Sequence, residues 1–482
     1  MACLIAAPCS GSGKTLVSLC LAAAARRRGL ELQPFKVGPD YLDPQLLSRV
    51  SGRACRNLDP LLCGEGWVQR SFAWHGSRAD LALVEGVMGL FDGQGPSPVG
   101  SSAAVAQLLQ LPVVLVVEAS RQAGSLAALV RGFRDHGPPA VQLAGVVLNR
   151  VNSSRHRALL TEALASIAVP LLGVLPSDPA LEVPSRHLGL HSPGELADLP
   201  ERLGRWADLA ERHLDLQGLW ALLQPPRALA GEGPPIQWCL ARAGLGRGRT
   251  PPAPDAPVVA VASDSAFHFR YPEAGELLEA CGLEPQPWSP LADEPLPSGS
   301  QAVVVPGGYP ELHAGRLAAA GRSLGALRQA AKAGMPIVAE CGGLLLLGRE
   351  LSDPEGTPRP MAGLLPFSAS RGELSLGYRQ ASACTTGLLV RRGERFMGHE
   401  FHRWQLQGVA AGPPLWQLEG WGTGSRSEGW TTPNVHASWL HLHWAGCPVI
   451  PSRLAAAARA RASSSPATPG ATATAPPPNA GG

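Results

Sequence analysis

The sequence predicts an α/β protein of two consecutive domains, the first a doubly wound parallel sheet carrying a phosphate loop. Three observations carry that prediction. Short, continuously apolar segments alternate with longer helix-forming ones through the first half, the pattern of a parallel sheet covered on both faces. The stretch "APCSGSGKT" at 7–15 lies directly behind the first apolar segment and opens a helix-forming run. After a Pro/Gly-rich interval the alternation starts again at "VVAVAS", 258–263. A chain of 482 residues is also too long for one ordinary core.

Taken in order, strands are expected at 2–6, 32–36, 81–84, 113–117, 143–148 and 171–175. Ala/Leu/Arg-rich segments such as 15–29, 102–110 and 154–167 lie between them and read as helices. Residues 1–217 make the first domain. Residues 218–256, with "LLQPPRALAGEGPPIQ" and "RGRTPPAPDAP", read as a linker or poorly ordered crossing. The second domain, 257–450, is built on "VVAVAS", "AVVVPGG" (302–308) and "PIVAECGG" (336–343), followed by a more strand-like, Trp-containing region. Residues 451–482, ending "SSSPATPGATATAPPPNAGG", are expected to be a low-complexity, disordered tail.

Composition excludes several classes. A net charge of +3 leaves no nucleic-acid footprint and no polybasic membrane patch. The ten cysteines form no CxxC pair, which argues against a zinc ribbon or disulfide framework and fits a reducing cytosol. "MACLIAAPCSGSGK" lacks the basic start of a signal peptide and reads as a buried strand. No apolar run reaches the roughly 18 residues a membrane helix needs. A soluble cytoplasmic protein is expected, without nucleic-acid or membrane partners.

In "SGSGKT", successive backbone N–H groups from Ser10 through Gly11, Ser12 and Gly13 form an anion cradle at a helix N-terminus. Lys14 would reach the β/γ-phosphates of ATP and Thr15 would hold Mg²⁺. Pro8 stands where the usual motif has its first glycine. Ligands of a doubly wound sheet collect beyond the carboxyl ends of the strands. "FKVGPDYLDP" places Lys36, Asp40 and Asp43 there, "LVEGVMGLFDG" places Glu85 and Asp92, and "VVEAS" places Glu118. A Mg²⁺–ATP site needs a carboxylate, and Glu85 is the first choice because it ends a strand. Asp59 and Glu118 read as turn or cap residues. Asn149 follows a strand and reads either as a base-edge reader of ATP or as a turn residue.

"PIVAECGGLLLLG" (336–348) runs from an apolar strand through Glu340, Cys341, Gly342 and Gly343 into an apolar helix. That is the context of a nucleophile on a sharp strand-to-helix turn, where the helix N-terminus lowers the thiol pKa. A thiol nucleophile needs a histidine base close in space. "GHEFHRW" offers His399 and His402; "NVHASWLHLHW" offers His436, His441 and His443. Spacing does not choose among them, although alternation in "SWLHLHW" puts His441 and His443 on one face of a strand. Backbone N–H groups of "VVVPGGYPEL" (303–312) and of the turn itself, at Gly308 and Gly342, suit an oxyanion hole.

These motifs occur in a fixed order: the atypical phosphate loop, "FKVGPDYLDP", "VEGVMGLFDG", "PSRHLGL" (184–190), "PGGYPEL", "ECGGLLLLG", "GHEFHRW" and "SWLHLHW". Together they resemble the cobyrinic acid a,c-diamide synthase family of cobalamin (vitamin B12) biosynthesis over roughly residues 2–447. The resemblance implies an N-terminal dethiobiotin synthetase-like domain that binds ATP, Mg²⁺ and the corrinoid, and a C-terminal class I glutamine amidotransferase domain. It implies Cys341 as nucleophile and His441 as the histidine that activates it. It implies substrate and metal roles for Asp40, Glu85 and Asp92, with Tyr41, Leu42 and Asp43 in the same substrate loop. Many class I glutaminases carry an acid two residues beyond the histidine; here His443 stands there. Glu118 stands where relatives often have Asp, and Ala274 where they usually have Asn.

The implied reaction is ATP- and L-glutamine-dependent amidation of the a and c side-chain carboxylates of cobyrinate, through an acyl phosphate and glutamine-derived ammonia. The alternatives are a,c-diamidation of nickel-sirohydrochlorin or hydrogenobyrinate, or a cobyric acid synthase. "GPDYLDP" and "GHEFHRW" favour the a,c-diamide branch over the last. A partition-type ATPase is disfavoured by Cys9, which stands where that class has a second lysine. A homodimer is the candidate oligomeric state.

Overall fold

The computed structural model describes residues 2–178, 185–186, 189–190, 198–228, 233–246, 253, 255–408 and 412–464. The first sheet has seven strands: β1 (Cys3–Ala6), β2 (Leu32–Val37), β3 (Arg56–Leu58), β4 (Leu81–Glu85), β5 (Pro112–Glu118), β6 (Gln142–Asn149) and β7 (Leu171–Val174). Their order is β3-β2-β4-β1-β5-β6-β7, and every pair is parallel. Strand periodicity explains the continuous apolar runs. Cys3 and Ile5 enter one core, with Trp206, and Leu4 and Ala6 enter the core on the opposite face. β3 has no apolar run, and Arg56 and Asn57 are spent on contacts described below, so the hydropathy pattern gave no sign of it.

Within "PSRHLGL", β8 (Ser185–Arg186) and β9 (Gly189–Leu190) pair antiparallel; the rest of that motif lies outside the described residues.

The expected linker is largely structured. A helix, Leu216–Leu222, crosses its first boundary, and Leu219 and Leu223 are buried in the first domain. A second helix, Pro235–Arg242, starts on its proline and buries Ile236, Cys239 and Leu240. Its Pro-rich flanks hid an amphipathic segment. The expected tail is corrected in the same way. The helix Val449–Ser464 buries Ile450, Leu454, Ala455 and Ala458, and residues 465–482 lie outside the described residues.

The second domain has β10 (Val258–Ala262), β11 (Glu284–Trp288), β12 (Ser300–Val305), β13 (Ile337–Glu340), β14 (Glu350–Ser352), β15 (Pro358–Pro360), β16 (Ser368–Ala383), β17 (Arg395–Gln407), β18 (Trp416–Gly420), β19 (Thr423–Glu428), β20 (Trp430–Thr431) and β21 (Val435–Ser438). Its main sheet runs β11-β10-β12-β13-β21-β20, antiparallel only at β20. A mostly antiparallel sheet built on the long β16–β17 pair flanks it.

The two domains pack tightly. Trp67, from the helix Glu65–Gly76, shares one core with Leu240, Leu277, Trp444 and Ile450. Tyr41 and Leu42, just past β2, cluster with Phe269, Tyr271 and Tyr309. Loops at the carboxyl ends of both parallel sheets therefore meet.

Candidate active site

The parallel register assembles the first half of the site. Glu85 pairs with Ile5 of β1 on one side and with Lys36 of β2 on the other. The Lys36 ammonium reaches Glu85 Oε1 at 2.8 Å, Asp43 at 2.5 Å and Asp40 at 3.5 Å. It also donates to the Gly86 carbonyl at 3.1 Å. Burial opposes charge on Lys36, but the three carboxylates outweigh it and hold the ammonium well above the ordinary lysine range. Burial, and next the neighbouring Asp43, push Asp40 up to about 7. For Asp43 burial also opposes the charge, yet Lys36 keeps its carboxyl below the usual range. Asp40 and Asp43 are thus unequal: one a ready carboxylate, the other able to hold a proton near neutrality. Asn57 of β3 donates to the carbonyls of Gly38 and Asp40 at 2.8 Å each and fixes the loop.

The phosphate loop sits over this cluster. Thr15 Oγ1 donates to Glu85 Oε1 at 3.0 Å, and Glu85 Oε2 is buried without a partner. Lys14 donates to the Met88 carbonyl at 2.6 Å, and burial, then the charge of Lys36, lower its pKa. Gly13 has φ 108°, and a Cβ there would stand 2.3 Å from Asn149 Nδ2. Asn149 itself donates to the Ser12 carbonyl at 3.0 Å. The structure therefore places its amide beneath the loop as a support, where a base-edge role was one expectation. Ser12 closes the loop onto the Cys9 carbonyl at 3.0 Å, while Ser10 and Gly11 are exposed. Asp92 is exposed and accepts from the Gly89 N–H at 2.7 Å. Glu118 accepts from Ser120 N at 3.0 Å, and Asp59 caps the helix Pro60–Cys63, both as turn or cap residues.

The second half centres on Cys341, between β13 and the helix Gly342–Leu347. Its φ of 48° and ψ of −107° are strained for a residue with a side chain, the signature of a nucleophile elbow. Its N–H is held by the Ser438 carbonyl at 2.8 Å. Burial pushes the thiol well up, against the Gly342 N–H, which favours the thiolate. A Cβ on Gly342 would stand 2.9 Å from Gly308 N, so the two expected oxyanion donors are brought together.

β21 lies beside β13, and His441 follows it, bridged by backbone to His399. A Cβ on Gly307 would fall 2.5 Å from His441 Cε1, so only glycine lets the imidazole settle against that loop. The His441 ring is flanked by His399 at 4.9 Å and by Tyr41 of the first domain at 5.3 Å. Burial, then the charge of His402, lower His441 to about 3, so the ring is neutral in the free enzyme.

His443 lies two residues beyond His441, past the end of β21. It stacks on Tyr271 at 4.2 Å and lies 3.8 Å from Glu273. Among the described residues no carboxylate hydrogen-bonds His441. The acid whose charge reaches it is Glu400, between the two histidines of "GHEFHRW". Glu400 is buried and bound by Arg379 at 2.7 Å and by Arg426. Burial opposes its charge, but His402 and Arg426 hold it well below the ordinary carboxyl range. Sequence reasoning fixed on the histidines of that motif and passed over its acid.

Known proteins resemble both halves of the chain. A family described as the CobQ/CobB/MinD/ParA nucleotide binding domain matches residues 3–190, and one described as the CobB/CobQ-like glutamine amidotransferase domain matches 258–448. The cobyrinate a,c-diamide synthase of Gloeobacter violaceus is 43% identical, covering 92% of this chain and 94% of its own. The chain belongs to the cobyrinate/hydrogenobyrinate a,c-diamide synthase family. Another cobyrinate a,c-diamide synthase, from Synechococcus, is 41% identical over 93% of this chain and 96% of its own. The hydrogenobyrinate a,c-diamide synthase of Streptomyces coelicolor is 44% identical over 93% of this chain and 96% of its own. A nucleotide-binding domain and a glutamine amidotransferase domain thus stand in the two places where the phosphate loop and the cysteine elbow lie. No helix among the described residues is long and apolar enough to cross a membrane.

Proposed function

We propose that this chain is an ATP- and glutamine-dependent ligase that amidates the a and c side-chain carboxylates of cobyrinate, or of its cobalt-free counterpart hydrogenobyrinate. The observation that carries the reading is Tyr41, which belongs to the Asp40–Asp43 loop and packs on His441. A carboxylate-activating site and an ammonia-releasing site share that wall.

A carboxylate does not react with ammonia at neutral pH, because an oxide would have to leave. ATP removes the obstacle by converting the acid to an acyl phosphate. Lys14 and the loop N–H groups hold the phosphates, and Asp40 and Asp43 position the acid about Lys36. Thr15 and Glu85 fit Mg²⁺: a hydroxyl beside a carboxylate with one buried, unpartnered oxygen. When bound, the ion neutralises phosphate charge as a Lewis acid.

At the elbow, Cys341 attacks the glutamine amide while His441 takes its proton and returns it to the departing nitrogen. Gly308 and Gly342 N–H groups face the oxyanion. Water then hydrolyses the glutamyl thioester, and ammonia passes to the acyl phosphate, displacing phosphate.

Cys341→Ala is expected to abolish glutamine-driven amidation and retain amidation by free ammonia. Lys14→Ala is expected to lose both while hydrolysing glutamine. Mass spectrometry of products from cobyrinate, hydrogenobyrinate and nickel-sirohydrochlorin reads these outcomes and identifies the substrate. Loss of ammonia-driven amidation in folded Cys341→Ala contradicts two separable sites.

A further inference from the structure

A pocket at the domain junction has room for a molecule the size of water or ammonia. Three of its lining residues are chain neighbours of glutaminase groups. Glu340 precedes Cys341, Leu442 follows His441, and Pro306 precedes Gly307, on which His441 rests. The pocket therefore adjoins the glutamine site along the chain at three points. A fourth lining residue, Tyr41, belongs to the loop that holds Asp40 and Asp43 around Lys36. The pocket thus touches both halves of the enzyme. Glu340 is the one carboxylate among its lining residues, and Arg270 the one cation, exposed at the rim.

We infer that Glu340 receives the ammonia leaving the glutaminase site and takes back any proton it gains from water before it reaches the acyl phosphate. This rests on the amidotransferase reading above. Ammonia that gains a proton from water in transit becomes ammonium, a cation without a lone pair that cannot attack. Transfer to the Glu340 carboxylate breaks one N–H bond, leaves its electron pair on nitrogen and forms an O–H bond on Glu340. The neutral ammonia attacks the acyl carbon, whose bond to the phosphate oxygen breaks. Loss of the proton from Glu340 to solvent resets the carboxylate.

The surroundings suit this. Burial pushes Glu340 up to about 8, against hydrogen bonds from the Trp444 side chain and the Leu442 backbone. Its carboxylate form, a minor share at neutral pH that grows as pH rises, is basic enough to take a proton from ammonium with little loss of driving force. The titratable groups around it are Tyr41, Tyr271, Cys341 and Cys447, with Arg270 at the rim. The walls are otherwise apolar or aromatic: Phe269, Leu278, Val304 and Leu442.

The test compares wild type with Glu340→Gln in the full chain, with ATP, Mg²⁺, glutamine and the corrinoid that wild type amidates. The readout is glutamate released per amide formed. For Glu340→Gln this ratio is expected to rise roughly ten-fold. It should fall back as the assay pH is raised toward the pKa of ammonium, a recovery that a merely structural role would not give. Ala274→Leu, which fills the pocket from the helix Pro272–Ala280, should raise the ratio at every pH with glutamine hydrolysis unchanged. A wild-type ratio in both variants overturns the inference, and so does a raised ratio in Glu340→Gln that does not respond to pH. If Glu340→Gln does not fold, a wild-type ratio in Ala274→Leu overturns it. If wild type forms no amide from either glutamine or ammonia, the amidotransferase reading falls and takes this inference with it.

Discussion

His436 illustrates how burial sets protonation in this chain. It lies on β21 with its Nδ1 unpartnered, and burial lowers it to about 4. An unfolded histidine titrates near 6.5, so between those values the unfolded chain binds the extra proton. His436 therefore costs stability as pH falls through that window and nothing above it. His436→Leu keeps the volume and removes the titration. Relative to the variant, wild type is expected to lose ~2–3 kcal/mol between pH 7 and pH 4. Urea unfolding of both proteins at several pH values checks this, and parallel stability curves reject it. At the same scale, the sequence made Cys341 legible through its glycines, and Lys14 and Thr15 through the loop. Lys36 was visible but its role was not. Its three carboxylate partners come from β2's own loop and from β4, and only the register Lys36↔Glu85 brings them together. Asn149 was read from its place after a strand, but its side chain turns under the loop, an orientation that position alone does not determine.

Among the elements, apolar runs marked strands well where both faces are buried and failed where burial was carried otherwise. β3 is three residues, two of them polar and committed to the domain junction and the substrate loop. The helix Val449–Ser464 was hidden because its Ala- and Arg-rich sequence grades into a low-complexity end, and alanine contributes little hydropathy contrast. Packing, not composition, shows its weight. Ile450 and Leu454 are fully buried, each worth about 1.5–3 kcal/mol of transfer free energy. Arg453 is bidentate to Glu394 at 2.6 Å on both nitrogens. Truncation after Pro448 is expected to lower the melting temperature by several degrees relative to truncation after Ser464. Calorimetry of the two truncations decides. Equal melting temperatures would mean that the helix adds no stability despite its burial.

For the whole molecule the question is what fixes the angle between the two domains, since the pocket and the Tyr41–His441 contact exist only at one angle. Apolar packing around Trp67 supplies adhesion but little direction. Direction comes from Arg56, which reaches out of β3 to Glu273 at 3.2 Å and Glu276 at 2.5 Å on the helix Pro272–Ala280. Arg56 and Glu273 are both buried, and burial's penalty on the guanidinium is outweighed by Glu273 and Glu276. A buried pair of this kind adds little net stability over apolar residues of similar size, yet removing one partner strands a buried charge. Arg56→Met should therefore destabilise the chain by about 3–5 kcal/mol, and adding Glu273→Met should recover most of that loss. If the pair also sets the angle, the recovered double variant will be stable but poorly coupled. It should hydrolyse glutamine and amidate with free ammonia, while releasing more glutamate per amide than wild type. Thermal unfolding with the glutamate-to-amide ratio separates the two effects. A double variant that is both stable and tightly coupled would mean that the apolar core alone holds the domains in register.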